Sequence, residues 1–245
     1  MEQPPPFVRT TRFARLIHVT SCASTQDLAL AAGERGCAVY WADHQTAGRG
    51  RQGRGWDDAE AEDLAVTFRV DSIALPHPVR LPAAVSLAVL AVLEQTIDRR
   101  LQVKWPNDVL AGGAKLAGVL VDSTNQPSVF AIGVGINVNR TRFPPELAET
   151  ATSLSLLTGR TIARPELLAH LVTAIDTTIA LLQSDDLEAM HASYRDRIEL
   201  IDREVQLESA GEATSGRVAD IDLDEIVLRD GRRFALAGLR ALRRA

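Results

Sequence analysis

Short apolar runs separated by turn residues occupy the first third of the chain. Runs at residues 15–19, 37–42 and 64–70 are apolar and rich in β-forming residues, so each predicts a strand. Between the first two runs, Ser24 is placed to cap a helix that continues through Ala32 and is closed by two glycines. This part of the chain therefore predicts three strands and one helix.

Two longer segments carry helical periodicity, and three apolar runs between them predict strands. Leu81–Ile97 is apolar on most sides, which favours a buried helix, and a second helix starts near Pro165 with apolar residues at three- and four-residue steps. Strands are predicted at residues 102–105, 116–122 and 129–138, with turns at residues 106–108, 112–113 and 125–127. The short turns predict that these strands are antiparallel neighbours.

The pattern changes after Tyr194. Short β-type runs follow at residues 204–207, 216–221, 225–228 and 233–235, broken by glycine-containing turns. We predict an α+β main domain over residues 1–195, with a mixed, largely antiparallel sheet and helices, and a small β-barrel domain over residues 196–245.

Composition narrows the class of protein. Of 245 residues, 46% are hydrophobic and 24% charged, which is typical of a folded globular protein, and the net charge of -5 argues against a protein that tracks nucleic acid through many phosphates. The first nine residues lack the pattern of a secretory signal, and the longest apolar stretch, residues 83–93, is too short to cross a bilayer. We expect a cytoplasmic protein without a membrane partner, with Cys22 and Cys37 as buried free thiols.

A glycine- and arginine-rich segment stands out within this acidic chain. Residues 48–56 hold three arginines among four glycines and end at Trp56, and residues 44–56 as a whole are predicted to form a loop. Such a loop suits a polyphosphate or a mixed anhydride, because its amides and guanidinium groups bind anions and Trp56 offers a flat face to a purine. We expect it to become ordered when a ligand binds. By itself it equally fits a flexible basic loop or a contact to single-stranded nucleic acid.

Two further residues carry candidate chemistry. Lys115 opens an apolar predicted strand, where its ammonium group can neutralise a phosphate or carboxylate in a transition state, although a lysine at a strand end can also extend to solvent. Asp108 follows a proline in a predicted turn, where it can hold a metal or orient an amine, or simply bond its own backbone.

The order and spacing of six segments resemble those of the biotin protein ligases, over roughly residues 16–157. The matching segments are Ser24-Thr25-Gln26-Asp27, residues 45–54, Lys104-Trp105-Pro106-Asn107-Asp108, residues 115–120, residues 133–138 and Ala151-Thr152-Ser153-Leu154. The resemblance implies the class II synthetase-like fold of biotin and lipoate ligases, with a carboxy-terminal module like an SH3 barrel.

The resemblance also implies roles for individual residues. Lys115, Arg51 and Asp108 would be catalytic. The biotin site would comprise Ser24, Thr25, Gln26, Gln45, Arg49, Gly50, Arg51, Lys115 and Gly118. The ATP site would comprise Arg51, Arg54, Trp56, Lys104, Asn107 and Asn137, with Trp56 stacked on adenine and with metal ligands left open.

The reaction implied by the resemblance is the ATP-dependent biotinylation of a lysine on a biotin carboxyl carrier protein, through biotinyl-5'-AMP and with Mg²⁺ screening the phosphates. The partners would be biotin, ATP and the carrier, and the chain would be a monomer or a weak homodimer. No DNA binding is expected, because only 23 residues precede Ser24, too few for the helix-turn-helix domain of larger members.

Some positions depart from the family pattern, and alternatives remain open. Gln26 and Gly55 replace residues that are commonly different, and in the carboxy-terminal module Asp224 or Glu225 replaces a usual glycine and Gly238-Leu239 replaces a glycine-glutamate pair. The alternatives are a lipoate or octanoate protein ligase or transferase of the same fold, and a non-enzymatic phosphate or nucleic-acid binder that uses the loop alone.

Overall fold

A computed structural model describes residues 10–31, 33–59, 61–123 and 128–245. Three sequence predictions fall outside these ranges: the absence of a secretory signal in residues 1–9, the end of the first helix at Ala32, and the turn at residues 125–127.

Seven strands form the main sheet in the order β1-β2-β3-β7-β6-β5-β4. The strands are β1 (Leu16–Cys22), β2 (Ala38–Gln45), β3 (Leu64–Val70), β4 (Gln102–Lys104), β5 (Asp108–Ala111), β6 (Ala114–Ser123) and β7 (Phe130–Ile136). β1 and β2 are parallel, and every other pair is antiparallel. The predicted mixed, largely antiparallel sheet is therefore confirmed. The predicted antiparallel pairing holds for β6 and β7, whereas β4 is separated from β6 by β5, a strand that the sequence did not predict.

The described part of the chain forms five α-helices: α1 (Thr25–Leu30), α2 (Leu81–Ile97), α3 (Leu154–Thr158), α4 (Arg164–Ser184) and α5 (Glu188–Ile198). Helices α1, α2 and α5 contact the main sheet, and α3 and α4 pack on α2. Successive side chains of a strand point to opposite faces of the sheet, so the side chains of β2 belong to two different clusters of buried hydrophobic residues. Tyr40 packs with Ala29 of α1, whereas Val39 and Trp41 belong to the large core that contains α2 and α4. Ser24 caps α1 as predicted, because its hydroxyl accepts a hydrogen bond from the Gln26 amide.

Helix α2 is buried on nearly all sides, as its apolar sequence predicted. By length and composition, two helical segments, Pro78–Ile97 and Arg164–Ser184, pass the test for a membrane span, and they extend beyond the apolar stretch noted in the sequence. In the first, 72% of the most apolar window is buried inside the protein, where α2 packs between the sheet, α4 and α5. Core helices pass the same test, so this finding gives no reason to place the chain in a membrane.

A second, five-stranded antiparallel sheet follows α5, consistent with the expected SH3-like module. Its strands are β8 (Glu204–Ser209), β9 (Glu212–Ile221), β10 (Glu225–Leu228), β11 (Arg233–Ala235) and β12 (Leu239–Arg244), in the order β11-β10-β9-β8-β12. Arg80, just before α2, joins the two parts of the fold: its guanidinium group pairs with Asp185 at the end of α4 and with both oxygens of Asp224 in the β9–β10 turn.

The structure corrects several details of the predicted elements. β2 continues to Gln45, so the predicted loop begins later than residue 44, and β5 and β12 are strands that the sequence did not predict. Asp108 is the first residue of β5 rather than part of a turn. The division placed at residue 195 falls within α5, which continues to Ile198 before the second sheet begins at Glu204. Cys22 and Cys37 are free but only half-buried.

Candidate active site

A cavity of about 400 Å³ lies where α1, the loop after β2 and strands β3, β5, β6 and β7 meet. All but one of the residues predicted for the site line it; they are Ser24, Thr25, Gln26, Gln45, Arg49, Gly50, Arg51, Arg54, Trp56, Lys104, Asn107, Asp108, Lys115 and Gly118. Asn137 is the exception. The fold therefore brings together segments that are separated by almost one hundred positions in the chain.

One end of the cavity holds a chain of hydrogen bonds among buried polar groups. The Thr67 hydroxyl donates to the Thr25 hydroxyl at 2.8 Å, and the Thr25 hydroxyl and amide both donate to Gln45 Oε1, at 3.1 and 2.8 Å. Because both Thr25 donors use Gln45 Oε1, the Gln45 Nε2 group remains as a donor, and it lies beside Gly48, where a Cβ atom would be 3.1 Å from it. Thr67 was missed in the sequence, although a polar residue in the middle of the apolar run of β3 was a signal for it.

The arginine loop has a defined backbone. The Gly50 amide donates to the Arg54 carbonyl at 2.7 Å and the Trp56 amide to the Gly48 carbonyl at 2.9 Å, so the segment doubles back on itself. Arg51 starts a single 3₁₀ turn, and Gln52 takes a positive φ of 57° within it. The loop thus presents its arginines to the cavity, while ordering by ligand remains a prediction.

Lys115 and Asp108 form an ion pair inside the cavity. Lys115 Nζ lies 2.7 Å from Asp108 Oδ1, and the lysine side chain runs over Gly118, where a Cβ atom would approach Nζ to 3.1 Å. The Asp108 carboxylate is therefore paired with Lys115 rather than with the backbone of its own turn, and the Lys115 ammonium group stays in the cavity rather than extending to solvent. A side chain at position 118 would displace the lysine, which explains the glycine there.

Aromatic and cationic side chains form another part of the cavity wall. The Trp56 indole lies on Gly135 of β7 so closely that a Cβ atom at that position would come within 2.5 Å of the ring. Lys115 Nζ lies 5.6 Å from the centre of the same ring, and the Arg51 guanidinium group lies 5.8 Å from the Trp105 ring. Burial, with a smaller contribution from the nearby Arg54, lowers the pKa of Arg51.

The side chains of Asn107 and Asn137 donate hydrogen bonds to backbone carbonyls. The Asn107 amide group donates to the Val119 carbonyl, which joins the turn before β5 to β6. Asn137 donates to the carbonyls of Thr152 at 2.9 Å and Lys115 at 3.3 Å, and it is not among the residues lining the cavity. Asn137 thus fixes the segment after β7 beside Lys115, and its contact with the nucleotide stays a prediction.

A buried ion pair between Asp63 and Arg140 also holds the segment that follows β7. Asp63 Oδ2 lies 2.7 Å from Arg140 Nε, and the two carboxylate oxygens also accept hydrogen bonds from the amides of Ala59 and Val138, both at 3.0 Å. Burial raises the pKa of Asp63 to about 6, although those two amides and Arg140 act in the opposite direction.

Few groups in the cavity could bind a cation. Among its lining residues in the described ranges, Asp108 is the only carboxylate. Asp108 is itself ion-paired with Lys115, so this donor set suits only an ion such as Mg²⁺, which commonly takes one or two carboxylates and fills its other positions with waters and ligand oxygens. Away from the cavity, His191, Asp222 and Asp224 have ligand atoms within 4.8 Å of one another, but Asp224 is already bound to Arg80.

Comparison with known proteins agrees with this geometry. The model of the Biotin/lipoate A/B protein ligase family matches residues 18–139. The Biotin--[acetyl-CoA-carboxylase] ligase of Mycobacterium tuberculosis is 36% identical over 190 residues, 75% of this chain and 70% of that protein. The Bifunctional ligase/repressor BirA of Bacillus subtilis is 35% identical, but the match spans only 55% of this chain and 43% of that protein.

A solved structure extends the likeness to almost the whole chain. The biotin protein ligase from Aquifex aeolicus in complex with biotin and ATP superposes with a TM-score of 0.83 at 27% identity, covering 95% of this chain and all of that one. The sequence match with the Mycobacterium tuberculosis protein covers more than two thirds of that relative. The chain therefore belongs to the biotin protein ligases of the Biotin/lipoate A/B protein ligase family.

Proposed function

We propose that this protein attaches biotin to a lysine of a biotin carboxyl carrier protein at the expense of ATP. In the first step a carboxylate oxygen of biotin attacks the α-phosphorus of ATP, and the bond to the β-phosphate oxygen breaks to give biotinyl-5'-AMP and pyrophosphate. In the second step the neutral lysine amine attacks the acyl carbon, AMP leaves with the electron pair of the broken C–O bond, and the amine loses a proton.

The observation that carries this proposal is the Lys115–Asp108 pair beneath the arginine loop, in one cavity. Both steps concentrate negative charge on oxygens around the same phosphorus and acyl carbon, and a fixed ammonium group stabilises that charge without reorganisation. Arg51 and Arg54 line the same space and supply guanidinium donors for phosphate oxygens. No side chain needs to act as a nucleophile, because positioning and charge stabilisation lower the barrier.

The opposite end of the cavity suits the fused ring of biotin. The Thr67, Thr25 and Gln45 network supplies directed polar groups to a urea, and Val66, Val134 and Leu120 supply apolar surface to the rest of the ring system. A ligand that spans from this network to Lys115 places its carboxylate at the ammonium group.

Asp108 is suited to the second step. Its carboxylate lies next to Lys115 at the cavity and can accept a hydrogen bond from the incoming lysine amine, which orients the amine toward the acyl carbon. Mg²⁺, bound to the ATP phosphates, would neutralise part of their charge. A cytoplasmic location, a monomeric or weakly dimeric state and the absence of DNA binding belong to the same proposal, and the net charge of -5 supports the last of these.

One assay tests the proposal. The protein is incubated with biotin, ATP and Mg²⁺, and both pyrophosphate release and biotin on a carrier-domain lysine are measured, with reactions lacking biotin or ATP as controls. We expect biotin-dependent pyrophosphate release followed by modification of the carrier. Release with lipoate or octanoate but not with biotin would instead identify the protein as an acyl ligase of the other branch, and salt-sensitive DNA binding without pyrophosphate release would support the non-enzymatic alternative.

The Lys115→Ala variant separates catalysis from binding. Because the ammonium group acts on charge that develops during the reaction, we expect the rate of pyrophosphate release to fall by about 100-fold or more while biotin affinity changes by less than about fivefold. The reverse pattern, a large loss of biotin affinity with a nearly unchanged rate, would remove Lys115 from the catalytic residues.

A further inference from the structure

Asp122, near the end of β6, touches both a residue of the cavity floor and a residue of the loop that covers it. Its Oδ2 atom lies 3.2 Å from Gln26 Nε2 and 3.4 Å from an Arg49 guanidinium nitrogen. Asp122 itself is not among the residues that line the cavity. A single carboxylate oxygen of Asp122 therefore contacts two residues that do line the cavity, Gln26 and Arg49.

The surroundings of Gln26 fix which way its carboxamide points. Nε2 faces three oxygens, those of Asp122 at 3.2 Å, the Ala131 carbonyl at 3.3 Å and the Leu120 carbonyl at 3.5 Å. Reversing the amide would turn Gln26 Oε1 toward three acceptors, one of them anionic, which is unfavourable. The nitrogen therefore stays on this side and the oxygen lies on the other.

That oxygen lacks a partner among the described residues. Gln26 is only 3% exposed, and Oε1 is buried without a hydrogen bond beside Gly133, where a Cβ atom would lie 3.2 Å from it. An unpaired buried acceptor costs about 1–3 kcal/mol, so the site gains when a ligand brings an N–H or O–H group to it. The fixed carboxamide thus favours a ligand head group that donates.

The loop is tied to the same place through Arg49. Its guanidinium group bridges Asp27 of α1 at 3.0 Å and Asp122 of β6 at 3.4 Å. These two acids belong to different elements, so Arg49 holds the first part of the loop against both. Asp27 contacts Arg49 and is not among the residues lining the cavity.

We propose that Asp122 is a positioning residue that sets head-group selectivity and loop closure together. Its carboxylate keeps Gln26 Nε2 turned away from the cavity, so that Oε1 accepts from a ureido N–H of the ligand, and it anchors Arg49 so that the loop stays over that ligand. The assignment of the donor to a urea rests on the proposed function, whereas the loop anchor does not.

Three variants divide these roles. Asp122→Val removes the acceptor for Gln26 and the charge for Arg49 while keeping a residue suited to a strand. Asp122→Asn keeps a neutral acceptor for Gln26 but removes the negative charge that pairs with Arg49. Asp27→Asn weakens only the other ion pair of Arg49, the one with Asp27. Each is measured for binding of biotin and of lipoate, which has a similar acyl chain without a urea, and for trypsin cleavage after Arg49, Arg51 and Arg54 in the ligand-free protein, located by mass spectrometry.

We expect Asp122→Val to weaken biotin binding by about tenfold, because Gln26 loses its hydrogen bond to the Asp122 carboxylate and no longer holds Oε1 toward the ureido group. Lipoate has no urea, so its binding should be much less affected. Asp122→Asn should recover most of the biotin preference. Trypsin should cut the loop several-fold faster in both Asp122 variants and in Asp27→Asn, because an exposed ion pair that restrains the loop is weakened.

Equal biotin preference in wild type and Asp122→Val would overturn the selectivity role, and equal trypsin cleavage in the two would overturn the anchoring role. Should Asp122→Val fail to fold, Asp122→Asn and Asp27→Asn decide: unchanged loop cleavage in both would overturn the anchor. Failure of wild type to bind biotin would refute the proposed function, and the trypsin experiment would still decide whether Asp122 and Arg49 hold the loop.

Discussion

The charged side chains of the cavity have partners that the sequence could not reveal. Lys115 and Asp108 are seven positions apart in the chain, and their contact depends on the strand pairing of β5 with β6. Sequence analysis found both residues but could not pair them, because β5 was not predicted. Thr67 and Asp122 lie on strands that were predicted, but their partners were missed because side-chain contacts along a strand follow from register, and register is set by neighbours distant in sequence.

Asp63 gives a pH dependence of stability that belongs to one residue. A buried carboxyl whose pKa is about 6 in the folded state, against an ordinary value of 3.8, binds a proton more tightly when folded. The contribution of protonated Asp63 to the free energy of unfolding is therefore fully present below about pH 4 and is lost as pH rises through about 6. For about two pKa units this contribution amounts to roughly 3 kcal/mol.

The Asp63→Asn variant cannot ionise, and its single carboxamide oxygen can accept from only one of the Ala59 and Val138 amides, a loss that is the same at every pH. We expect the difference in unfolding free energy between wild type and variant to change in favour of the variant as pH rises from 4 to 7, measured by urea denaturation at each pH. A difference that is independent of pH would show that Asp63 titrates at its ordinary pKa, because the Arg140 ion pair then offsets burial.

Neighbouring elements meet at glycines where a side chain would not fit. Gly135 of β7 accepts the Trp56 indole, and Gly118 of β6 lies under Lys115, so the two central strands are open at the cavity floor. Sequence periodicity located most helices and strands, including α2 and α4 at their observed bounds or close to them. It missed α3, which is only five residues long, α5, whose sequence is mostly polar, and β5 and β12, which are short or charged, because packing rather than apolar pattern identifies such elements.

The Gly135→Ala variant tests the contact between β7 and the loop. The added methyl group would lie 2.5 Å from the Trp56 ring, so the indole has to move. We expect a changed near-ultraviolet circular dichroism signal and a KM for ATP raised by about tenfold if Trp56 stacks on adenine as proposed, since such stacking contributes about 1–3 kcal/mol.

Gly238→Ala is the matched control, because its added methyl group would have only Ser209 Oγ nearby, at 3.9 Å. Trp56→Phe assigns the spectral change to the correct tryptophan. A variant with an altered spectrum but an unchanged KM for ATP would separate Trp56 from nucleotide binding.

The larger of the two hydrophobic clusters extends from the main sheet into the second sheet. Buried residues of α2, α4 and α5 pack in the same cluster as Val205, Val218 and Ile226. The sequence predicted a main α+β unit and a small β unit, but it gave no contact between them. Arg80 is the clearest polar link, because it is only 9% exposed and contacts Asp185 and Asp224 in different parts of the chain.

Replacing this link should loosen the whole fold. For Arg80→Met we expect a loss of about 1–2 kcal/mol in the free energy of unfolding, a value reduced because both aspartates are partly exposed. The exposed pair of Arg232 and Asp230 lies within the second sheet, so Arg232→Met serves as the control with little expected change. Chemical denaturation measures both, and equal effects of the two variants would mean that Arg80 does not link the units.

The backbone of Lys115 is bonded on both sides to the segment that follows β7. Its amide donates to the Thr150 carbonyl at 2.7 Å, and its carbonyl accepts from the Thr152 amide at 2.9 Å, as a parallel bridge. The amide hydrogens of Lys115 and Thr152 should consequently exchange with deuterated solvent far more slowly than those of the arginine loop. A lysine whose main chain is immobilised in this way can follow the reacting oxygens only by rotating its own methylene groups, so the reach of its four-carbon stem limits how far the acyl and phosphoryl centres can move between the two half-reactions.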